Sequence, residues 1–514
     1  MSVFHVTVYS HHFAVDGYDR DGKGVVESFA MRFAEYQFVR NWTGESQRRL
    51  TRIYATATRD RRQMRFHIRS LEDFKDHIVR SGYHADAISL TVVPGFEATP
   101  TTFNPSPDFI PRDYQLPIIQ FLVAPGFMKV VPLQTGKGKT AITLMAIAEL
   151  GVRVAVVIRA QYLERWVTDL TGPASVLRLE PHELMVVRGA KDLKAIIALG
   201  LAGQLHAKVI VFTGKTLYAF YDHFEQTNQD THYYGCHPAD LYRILGVGVR
   251  VIDEVHQDFH FNLTQDLYTH VNKTISLSAT LETDKPTVAK MYRLIFPNEV
   301  RAKVGEYDKY ISVKALMYGL TQETLHKNRL KWTRRGMGSY SHVDFEQSIL
   351  DNKRMLKSYL AMIREVVDVN YVSVRVAGQR MLVFAATVDM CVAIAKDLAA
   401  HFPHLDIYKF TGGDDYTRFM SADIGVSTLM KTGTAVDIPG LRVCLSTTAV
   451  DSAESNLQAM GRLRNLRDFP GVTPVFLYLV CSDIPQQLRY HQRKIEKFKG
   501  KVLSHGIFTL GTNL

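Results

Sequence analysis

Cysteine is scarce in this sequence, at four residues in 514. The four lie far apart, and none belongs to a CxxC pair or lies beside paired histidines. That spacing argues against a disulfide framework and against a cysteine-based zinc site. We therefore expect buried, free thiols in a reducing compartment at Cys236, Cys391, Cys444 and Cys481.

Long apolar runs are also missing, since no stretch of about 18 apolar residues occurs. The first residues lack the basic segment and apolar core of a secretory signal. We therefore expect a soluble protein in the cytoplasm, or in the host cytoplasm if the chain is viral. An apolar fraction of 46% with a charged fraction of 22% is typical of a globular protein rather than a disordered one.

Proline is unevenly distributed along the chain. Five of the 18 prolines fall within residues 94–111, and proline resists continuation of a helix or a central strand. We interpret residues 94–108 as a linker. Because 514 residues exceed what one core usually organises, the prediction is a small α+β domain at 1–93 and two larger domains at 109–305 and 306–514.

Beyond residue 109, short β-branched runs alternate with longer helical patterns. Such runs, separated by enough residues for a crossover helix, are typical of parallel strands buried on both faces. They predict two α/β domains in tandem after the α+β domain. The predicted strands are residues 128–133, 153–158, 208–213, 250–253, 274–277, 381–385, 424–428, 443–446 and 475–480.

One segment has the form of a phosphate-binding loop. The strand predicted at 128–133 leads into the sequence Gln-Thr-Gly-Lys-Gly-Lys-Thr, which an apolar helical pattern follows. Glycines let backbone N–H groups and the helix N-terminus face phosphates. Lys139 is predicted to hold the β- and γ-phosphates and Thr140 to bind Mg²⁺, although Leu133 stands where the general pattern has its first glycine. The other residues assigned to the nucleotide are Thr135, Gly136, Lys137 and Gly138.

A second segment, residues 251–256, is an apolar strand that ends in two adjacent carboxylates. At the carboxyl end of a parallel strand, one carboxylate can bind the magnesium ion and the next can orient or deprotonate the attacking water. We assign these catalytic roles to Asp253, which would also be a metal ligand, and to Glu254. An isolated acidic pair is more often a solvated surface feature, but its place after a phosphate loop favours the catalytic interpretation.

The sequence Asp-Glu-Val-His at 253–256 resembles the DExH box of superfamily 2 helicases and translocases, whose motor consists of two RecA-like domains. Residues 109–115 resemble the motif upstream of the phosphate loop, which implies nucleotide contacts from Arg112 and from Gln115, the latter at the adenine edge. Ser-Ala-Thr at 278–280 resembles the motif that couples hydrolysis to strand movement. The residues implied in this coupling are His256, Ser278 and Thr280.

Two further segments of the first domain, 157–160 and 213–216, resemble the family's nucleic-acid-facing segments. The first of them is extended by Leu163 and Trp166. The resemblance implies that Arg159, Thr213 and Thr216 contact the nucleic acid.

In the second domain, residues 381–387 resemble the opening strand, 431–439 resemble motif V and 458–462 resemble motif VI. Motif VI implies catalytic roles for Gln458 and for Arg462 as an arginine finger. The family's second arginine would fall at Asn465, whereas the sequence has Arg464 one residue earlier and Arg467 two residues later. Motif V implies a nucleic-acid contact from Thr432 and nucleotide contacts from Gly433 and Asp437.

A net charge of +11 favours a polyanionic partner. Cations are concentrated at residues 48–69, which contain eight arginines and one acid. A strand over 64–69 would place Arg65, His67 and Arg69 on one face. The residues predicted to bind the nucleic-acid backbone here are Arg61, Arg62 and Arg65.

Aromatic residues close to the basic stretch are available to stack on bases. The alternative is a solvated arginine face with these aromatic side chains in the core. The aromatic residues are Tyr36, Phe38 and Trp42.

The resemblance implies an ATP-dependent motor that uses ATP and Mg²⁺. A small N-terminal domain before a compact two-domain motor is most similar to phage UvsW-type helicases, which remodel forks, Holliday junctions, D-loops and R-loops in replication, recombination and repair. The expected partner is therefore branched or junction-containing DNA, including RNA–DNA hybrids, with no membrane and with a monomer favoured. The alternatives are an RNA helicase, the motor subunit of a restriction or nuclease assembly, and an inactive nucleic-acid-binding module.

Overall fold

The structure, a computed structural model, describes residues 4–40, 45–279, 281–283, 285–326, 330–333, 340–429, 438–466 and 468–514. It divides into two compact units, Met1–Gly305 and Glu306–Leu514. The predicted motif V residues Thr432, Gly433 and Asp437, the coupling residue Thr280, the second-arginine candidate Arg467 and the aromatic Trp42 all lie outside the described residues.

The first unit begins with a small α+β region. Its elements are β1 (Phe4–Val8), β2 (His12–Asp16), α1 (Arg20–Met31), β3 (Ala34–Arg40), β4 (Ser46–Ile53), β5 (Thr56–Ala57), β6 (Met64–His67), α2 (Leu71–Arg80) and β7 (Ile88–Val92). The order β5-β6-β2-β1-β7 forms a mixed sheet, and β3 pairs with β4 in a separate antiparallel ribbon. Stacked and edge-on rings of Phe13, Phe29, Phe66 and Phe74 fill the space between the sheet and the two helices.

This region packs directly on the α/β region that follows it. His12 Nδ1 lies 3.2 Å from the carbonyl oxygen of Thr269, and Val271 N donates to Ser10 Oγ at 3.0 Å. The proline-rich segment 94–108 is also bonded to the α/β region, since Thr99 exchanges backbone hydrogen bonds with Gly246 and Arg153 at 2.9 Å. The N-terminal and α/β parts of the first unit therefore share one hydrophobic core.

The first α/β region has a six-stranded parallel sheet in the order β10-β11-β9-β12-β13-β8. Its strands consist almost entirely of buried apolar residues because helices cover both faces. The elements are α3 (Leu116–Val123), β8 (Met128–Pro132), α4 (Lys139–Leu150), β9 (Val154–Ile158), α5 (Leu163–Thr171), β10 (Leu184–Val187), α6 (Gly189–Leu201), β11 (Val209–Thr213), α7 (Gly214–Gln226), α8 (Leu241–Ile244), β12 (Val249–Ile252), α9 (Phe259–Asp266), β13 (Lys273–Ser278) and α10 (Pro286–Ile295).

The second unit has a seven-stranded parallel sheet in the order β16-β17-β15-β18-β19-β14-β20. Its described elements are β14 (Ser312–Gly319), α11 (Gln322–His326), α12 (His342–Leu350), α13 (Lys353–Asn370), β15 (Arg380–Ala385), α14 (Val388–His401), β16 (Ile407–Phe410), α15 (Tyr416–Ser421), β17 (Ile424–Thr428), β18 (Leu441–Ser446), α16 (Ala453–Met460), β19 (Val475–Cys481), α17 (Pro485–Phe498) and β20 (Ser504–Asn513).

The predicted fold class of two parallel α/β sheets after an α+β region is confirmed, and each predicted strand is present with its ends shifted by two residues or fewer. All four cysteines are free and buried. Among the described residues, no helix has the length and apolar character needed to cross a membrane.

Candidate nucleotide site and nucleic-acid surface

The phosphate loop connects β8 to α4, as the sequence predicts. Gly136 and Gly138 have φ values of +84° and +80°, and Gly138 caps the N-terminus of α4. A Cβ on Gly138 would lie 2.7 Å from Gln115 Nε2, so two constraints favour glycine at this position. The loop thus brings the N-terminal N–H groups of α4 to the carboxyl edge of the sheet, the arrangement that suits a phosphate group.

Lys139 is the first residue of α4, and its ammonium group donates to the carbonyl oxygen of Leu133 at 3.2 Å. Leu133 N in turn donates to the carbonyl oxygen of Ser278 at 3.0 Å. Leucine is acceptable in place of the usual glycine because its side chain is buried and only its backbone faces the loop. Thr140 is the second residue of α4, and its predicted binding of Mg²⁺ stays a prediction.

The two carboxylates follow directly after β12, which lies between β9 and β13. Asp253 Oδ2 accepts a hydrogen bond from Trp166 Nε1 at 2.8 Å. Glu254 Oε1 lies 3.6 Å from Lys139 Nζ, and the Glu254 backbone has a φ of +49°, in the left-handed region. The strained backbone turns the Glu254 side chain toward the phosphate loop, as expected for a functional residue.

Burial, followed by the negative charge of Glu254, raises the pKa of Asp253 to about 6. The two neighbouring carboxylates repel each other, and a cation bound beside them would favour the ionised form of Asp253. Thr140 and Asp253 carry a hydroxyl and a carboxylate oxygen, which are the kinds of ligand that magnesium binds together with phosphate oxygens. Their predicted role as magnesium ligands stays a prediction. The described residues contain no cluster of three or more His, Cys, Asp or Glu side chains that could hold a metal ion.

His256 connects the carboxylates to β13. Its Nδ1 lies 2.7 Å from Ser278 Oγ and 3.3 Å from Glu254 Oε2. Burial lowers the pKa of His256 to about 4, so the ring is neutral at neutral pH. The predicted coupling residues His256 and Ser278 are therefore in contact with each other, and His256 also contacts the candidate base Glu254.

Residues of the motif at 109–115 form hydrogen bonds to the phosphate loop. Gln115 Nε2 and the Tyr114 hydroxyl both donate to the carbonyl oxygen of Lys137, at 3.1 and 3.0 Å. Gln115 Oε1 accepts from Arg112 N at 2.9 Å. Gln115 is buried and bonded to the loop, while the Arg112 side chain is exposed; their predicted contacts with a nucleotide stay predictions. Sequence reasoning did not assign a role to Tyr114.

In the second unit, Gln458 lies on α16 and Arg462 follows its end. Arg462 is 5% exposed, and its positive charge opposes the rise that burial causes in the pKa of Cys444. Arg464 is half-buried and donates to the carbonyl oxygen of Gly461. The finger role of Arg462 and the choice of a second arginine stay predictions.

No protein-family model matches this chain, and no curated protein matches it in sequence. Solved structures match its fold. Mss116p bound to single-stranded RNA and AMP-PNP is similar with a TM-score of 0.51 and 15% identity, over 77% of this chain and 74% of that one. S. cerevisiae Dbp5 bound to RNA and ADP BeF3 has a TM-score of 0.48 and 14% identity, over 77% of this chain and 89% of that one.

The chain has the tandem RecA-like helicase fold. Its first RecA-like sheet carries the phosphate loop and the carboxylates, and its second carries the segment predicted as motif VI.

Thr213 and Thr216 are not available to a nucleic acid through their side chains. Both are buried, their hydroxyls lie 2.7 Å apart, and Gly189 N donates to Thr216 Oγ1 at 2.7 Å. The structure corrects both predictions: these hydroxyls fix the turn between β11 and α7 in the first RecA-like sheet. Arg159 is half-buried and pairs with Asp258 at 2.7 Å, and its predicted role stays open.

Trp166, which extends the segment at 157–160, is buried rather than exposed on the surface. The indole is 1% exposed and donates to Asp253, so it cannot face a nucleic acid. Trp166 lies on the buried face of α5, where it positions the carboxylate instead. The apolar stripe of this helix was the signal in the sequence for such a buried position.

The buried position of Arg65 contradicts the prediction that the strand at 64–69 presents a basic face to nucleic acid. The guanidinium is 2% exposed, pairs with Glu225 of α7 and donates to Gln63 Oε1 at 2.5 Å. His67 is buried too, because α7 and the end of α9 cover this face of the sheet. Arg61 and Arg62 remain exposed, at 66% and 89% of their side chains.

We expect Arg65→Met to lower the free energy of unfolding by about 3–5 kcal/mol, because it leaves the Glu225 carboxylate buried without its partner. The matched variant Arg62→Met should change stability by less than about 0.5 kcal/mol. Denaturant unfolding of both variants tests this. Unchanged stability of Arg65→Met, combined with weaker DNA binding, would restore the basic-face interpretation.

The ribbon of β3 and β4 carries the exposed part of the basic stretch. Arg48, Arg49 and Arg52 are exposed, and the Arg48 guanidinium lies 3.7 Å from the ring centroid of Tyr36. The side chain of Phe38 lies outside the described part of the structure. Tyr36 is therefore already covered by an arginine rather than packed in a core.

Sequence reasoning missed a buried carboxyl group in the second RecA-like sheet. Glu346 of α12 is fully buried and accepts hydrogen bonds from the N–H groups of Ala386 and Thr387, both at 2.8 Å. It thereby holds the turn between β15 and α14. Burial raises the pKa of Glu346 to about 7, and no local pattern in the sequence marks the residue.

Between the unfolded pKa of Glu346, near 4.5, and the folded value of about 7, the folded chain keeps a proton that the unfolded chain loses. Raising the pH through this window should lower the free energy of unfolding by about 3 kcal/mol. Glu346→Gln should remove this loss, so its stability relative to wild type should rise from about pH 5 to about pH 8. Exposed Glu365→Gln is the control, and an equal pH dependence in Glu346→Gln and wild type would refute the assignment.

Proposed function

We propose that this chain is a nucleic-acid-stimulated ATPase of superfamily 2, of the DExH type, that uses ATP and Mg²⁺. The observation that carries the proposal is the contact between the phosphate loop and the carboxylate pair, with Lys139 Nζ 3.6 Å from Glu254 Oε1. A cation for the γ-phosphate and a base for the attacking water are thus adjacent at the carboxyl edge of one sheet.

In the proposed reaction, Lys139 and the loop N–H groups would hold the triphosphate, and Thr140 and Asp253 would hold the magnesium ion. Glu254 orients the water and accepts its proton. His256 and Ser278 pass the state of the nucleotide to β13. From the resemblance to motifs V and VI, we also propose catalytic roles for Gln458 and for Arg462, an arginine finger that would stabilise charge on the transferred phosphoryl group. Nucleotide contacts are proposed for Gly433 and Asp437.

The proposed substrate is branched DNA, as for the UvsW-type helicases that the layout resembles, and the proposed state is a cytoplasmic monomer acting in recombination or repair. Arg61, Arg62, Arg159 and Thr432 are the proposed nucleic-acid contacts, together with the exposed arginines of the β3–β4 ribbon. RNA is the second candidate, because Mss116p, whose fold this chain shares, was solved with single-stranded RNA.

Strand displacement on matched substrates tests the choice of nucleic acid. A fork, a Holliday junction, an R-loop and an RNA duplex of equal length are each incubated with the wild-type chain, ATP and Mg²⁺. The proposal predicts faster remodelling of the branched DNA substrates than of the RNA duplex. Displacement of the RNA duplex alone would support the RNA helicase, and magnesium-dependent cleavage of any substrate would support a nuclease assembly.

A further inference from the structure

A cavity of about 260 Å³ lies in the first RecA-like region, outside the phosphate loop. Its walls come from the end of β9, the start of α7 and α9, and Asp253 borders it. The residues that define its chemistry are Arg159, Gly214, Lys215, Phe261, Asn262 and Gln265. Apart from Arg159, none of these residues has a role in the proposed function.

Gln265 lies at the buried end of this cavity. It is 0% exposed, yet neither the oxygen nor the nitrogen of its side-chain amide has a hydrogen-bond partner among the described residues. Gly214 lies beside this amide, because a Cβ on Gly214 would be in van der Waals contact with Gln265 Nε2 at 3.8 Å. Buried amides are nearly always bonded, so an unbonded donor and acceptor at a cavity wall point to a ligand that offers the complementary pair.

Phe261 lies one helical turn before Gln265 on α9, so the two side chains share a helix face. Its ring is 38% exposed and is held edge-on by Tyr218 at 4.5 Å between centroids. At the rim, Lys215 is exposed and Arg159 is half-buried. Arg159 is paired with Asp258, which lines the cavity together with Asp253. The cavity therefore combines an aromatic face, an amide edge and the exposed Lys215 cation, which are groups that proteins use for a base and its phosphate.

We propose that this cavity receives one unstacked base of the nucleic-acid strand, with Gln265 hydrogen-bonded to the base edge and Phe261 against its face. The proposal rests on the proposed nucleic-acid motor and names a base-reading contact within it. Adenine matches best, because its N6 donor and N7 acceptor are adjacent and complementary to a glutamine amide.

The test uses the full chain and the variant Gln265→Leu, which keeps the side-chain volume and removes the amide. Affinity is measured by fluorescence anisotropy for an adenine-rich single strand and for an abasic strand of equal length. We expect Gln265→Leu to bind the adenine-rich strand about tenfold more weakly and the abasic strand equally well. Its melting temperature should not fall, because leucine removes two unbonded buried polar groups. Gln226→Leu, an exposed change at the end of α7, should alter neither measurement.

Three results would overturn the inference. A lower melting temperature with equal loss of affinity for both strands would give the amide a structural role. Equal affinity of wild type and Gln265→Leu for the adenine-rich strand would remove the base from the cavity. The third result is that adenosine raises the melting temperature of wild type but not of Gln265→Leu, while wild type binds the adenine-rich and abasic strands equally well. The cavity would then be a site for a free nucleoside. Binding of neither strand by wild type would instead contradict the proposed function itself.

Discussion

Replacing Lys139 by alanine should reduce ATP hydrolysis by at least about 10²–10³-fold, the usual loss when one preorganised group at a developing charge is removed. The Lys139 ammonium donates to Leu133 and lies 3.6 Å from Glu254, so it joins the loop backbone to the carboxylates. Alanine removes the charge that would neutralise the β- and γ-phosphates but leaves the helix intact, because alanine favours helices.

Phosphate release at saturating ATP and Mg²⁺ measures this loss. Lys191→Ala, the same change at an exposed position of α6, should keep the wild-type rate. DNA affinity of Lys139→Ala should stay close to wild type, because the lysine faces the phosphate loop. Retained turnover in Lys139→Ala would remove the phosphate-loop assignment.

Replacing Glu254 by glutamine should produce a chain that binds ATP and does not complete the reaction. Glutamine keeps the shape of the side chain and its contact with Ala279 N at 3.4 Å, but it cannot accept a proton from water. We expect hydrolysis to fall by about 10²–10⁴-fold. Nucleotide affinity should be retained or increased, because one negative charge beside the triphosphate is lost.

Single-turnover hydrolysis and nucleotide binding, measured on the same preparation, separate these two effects. The control is Glu149→Gln, an exposed glutamate near the end of α4. The loss of charge should also lower the pKa of Asp253, since the Glu254 charge contributes to raising it. A variant that hydrolyses ATP at the wild-type rate would require another base.

The candidate nucleotide site could be recognised in the sequence because its motifs are local and occur in a fixed order. The phosphate loop, the apolar strand before Asp253 and the Ser-Ala pair at 278–279 each occupy a few consecutive residues, and the parallel topology brings their carboxyl ends to one edge. Burial of both faces also made the central strands easy to recognise. Among the unpredicted strands, β10, β16 and β20 are edge strands, whose half-exposed residues give a weaker pattern.

The wrong predictions, such as the nucleic-acid contacts of Arg65, Thr213 and Thr216, depend on tertiary packing. The sequence does not show which helix or strand will cover a given side chain. The alternation at 64–69 gave no sign that α7 would supply Glu225 to pair with Arg65. The contact between the Trp166 indole and Asp253 was likewise not evident from the sequence, because it joins residues far apart in the chain. Gln265 and Glu346 could not be recognised either, since a polar residue on a helix acquires meaning only when its buried surroundings are known.

Nucleic acid should drive ATP hydrolysis at the proposed site of Lys139, Asp253 and Glu254. Steady-state phosphate release by the wild-type chain tests this, with ATP and Mg²⁺ held constant and forked DNA titrated from zero. We expect a rate that rises to a plateau with DNA and a flat baseline for Lys139→Ala. A wild-type rate that neither forked DNA nor RNA increases, or that equals the rate of Lys139→Ala, would contradict this expectation.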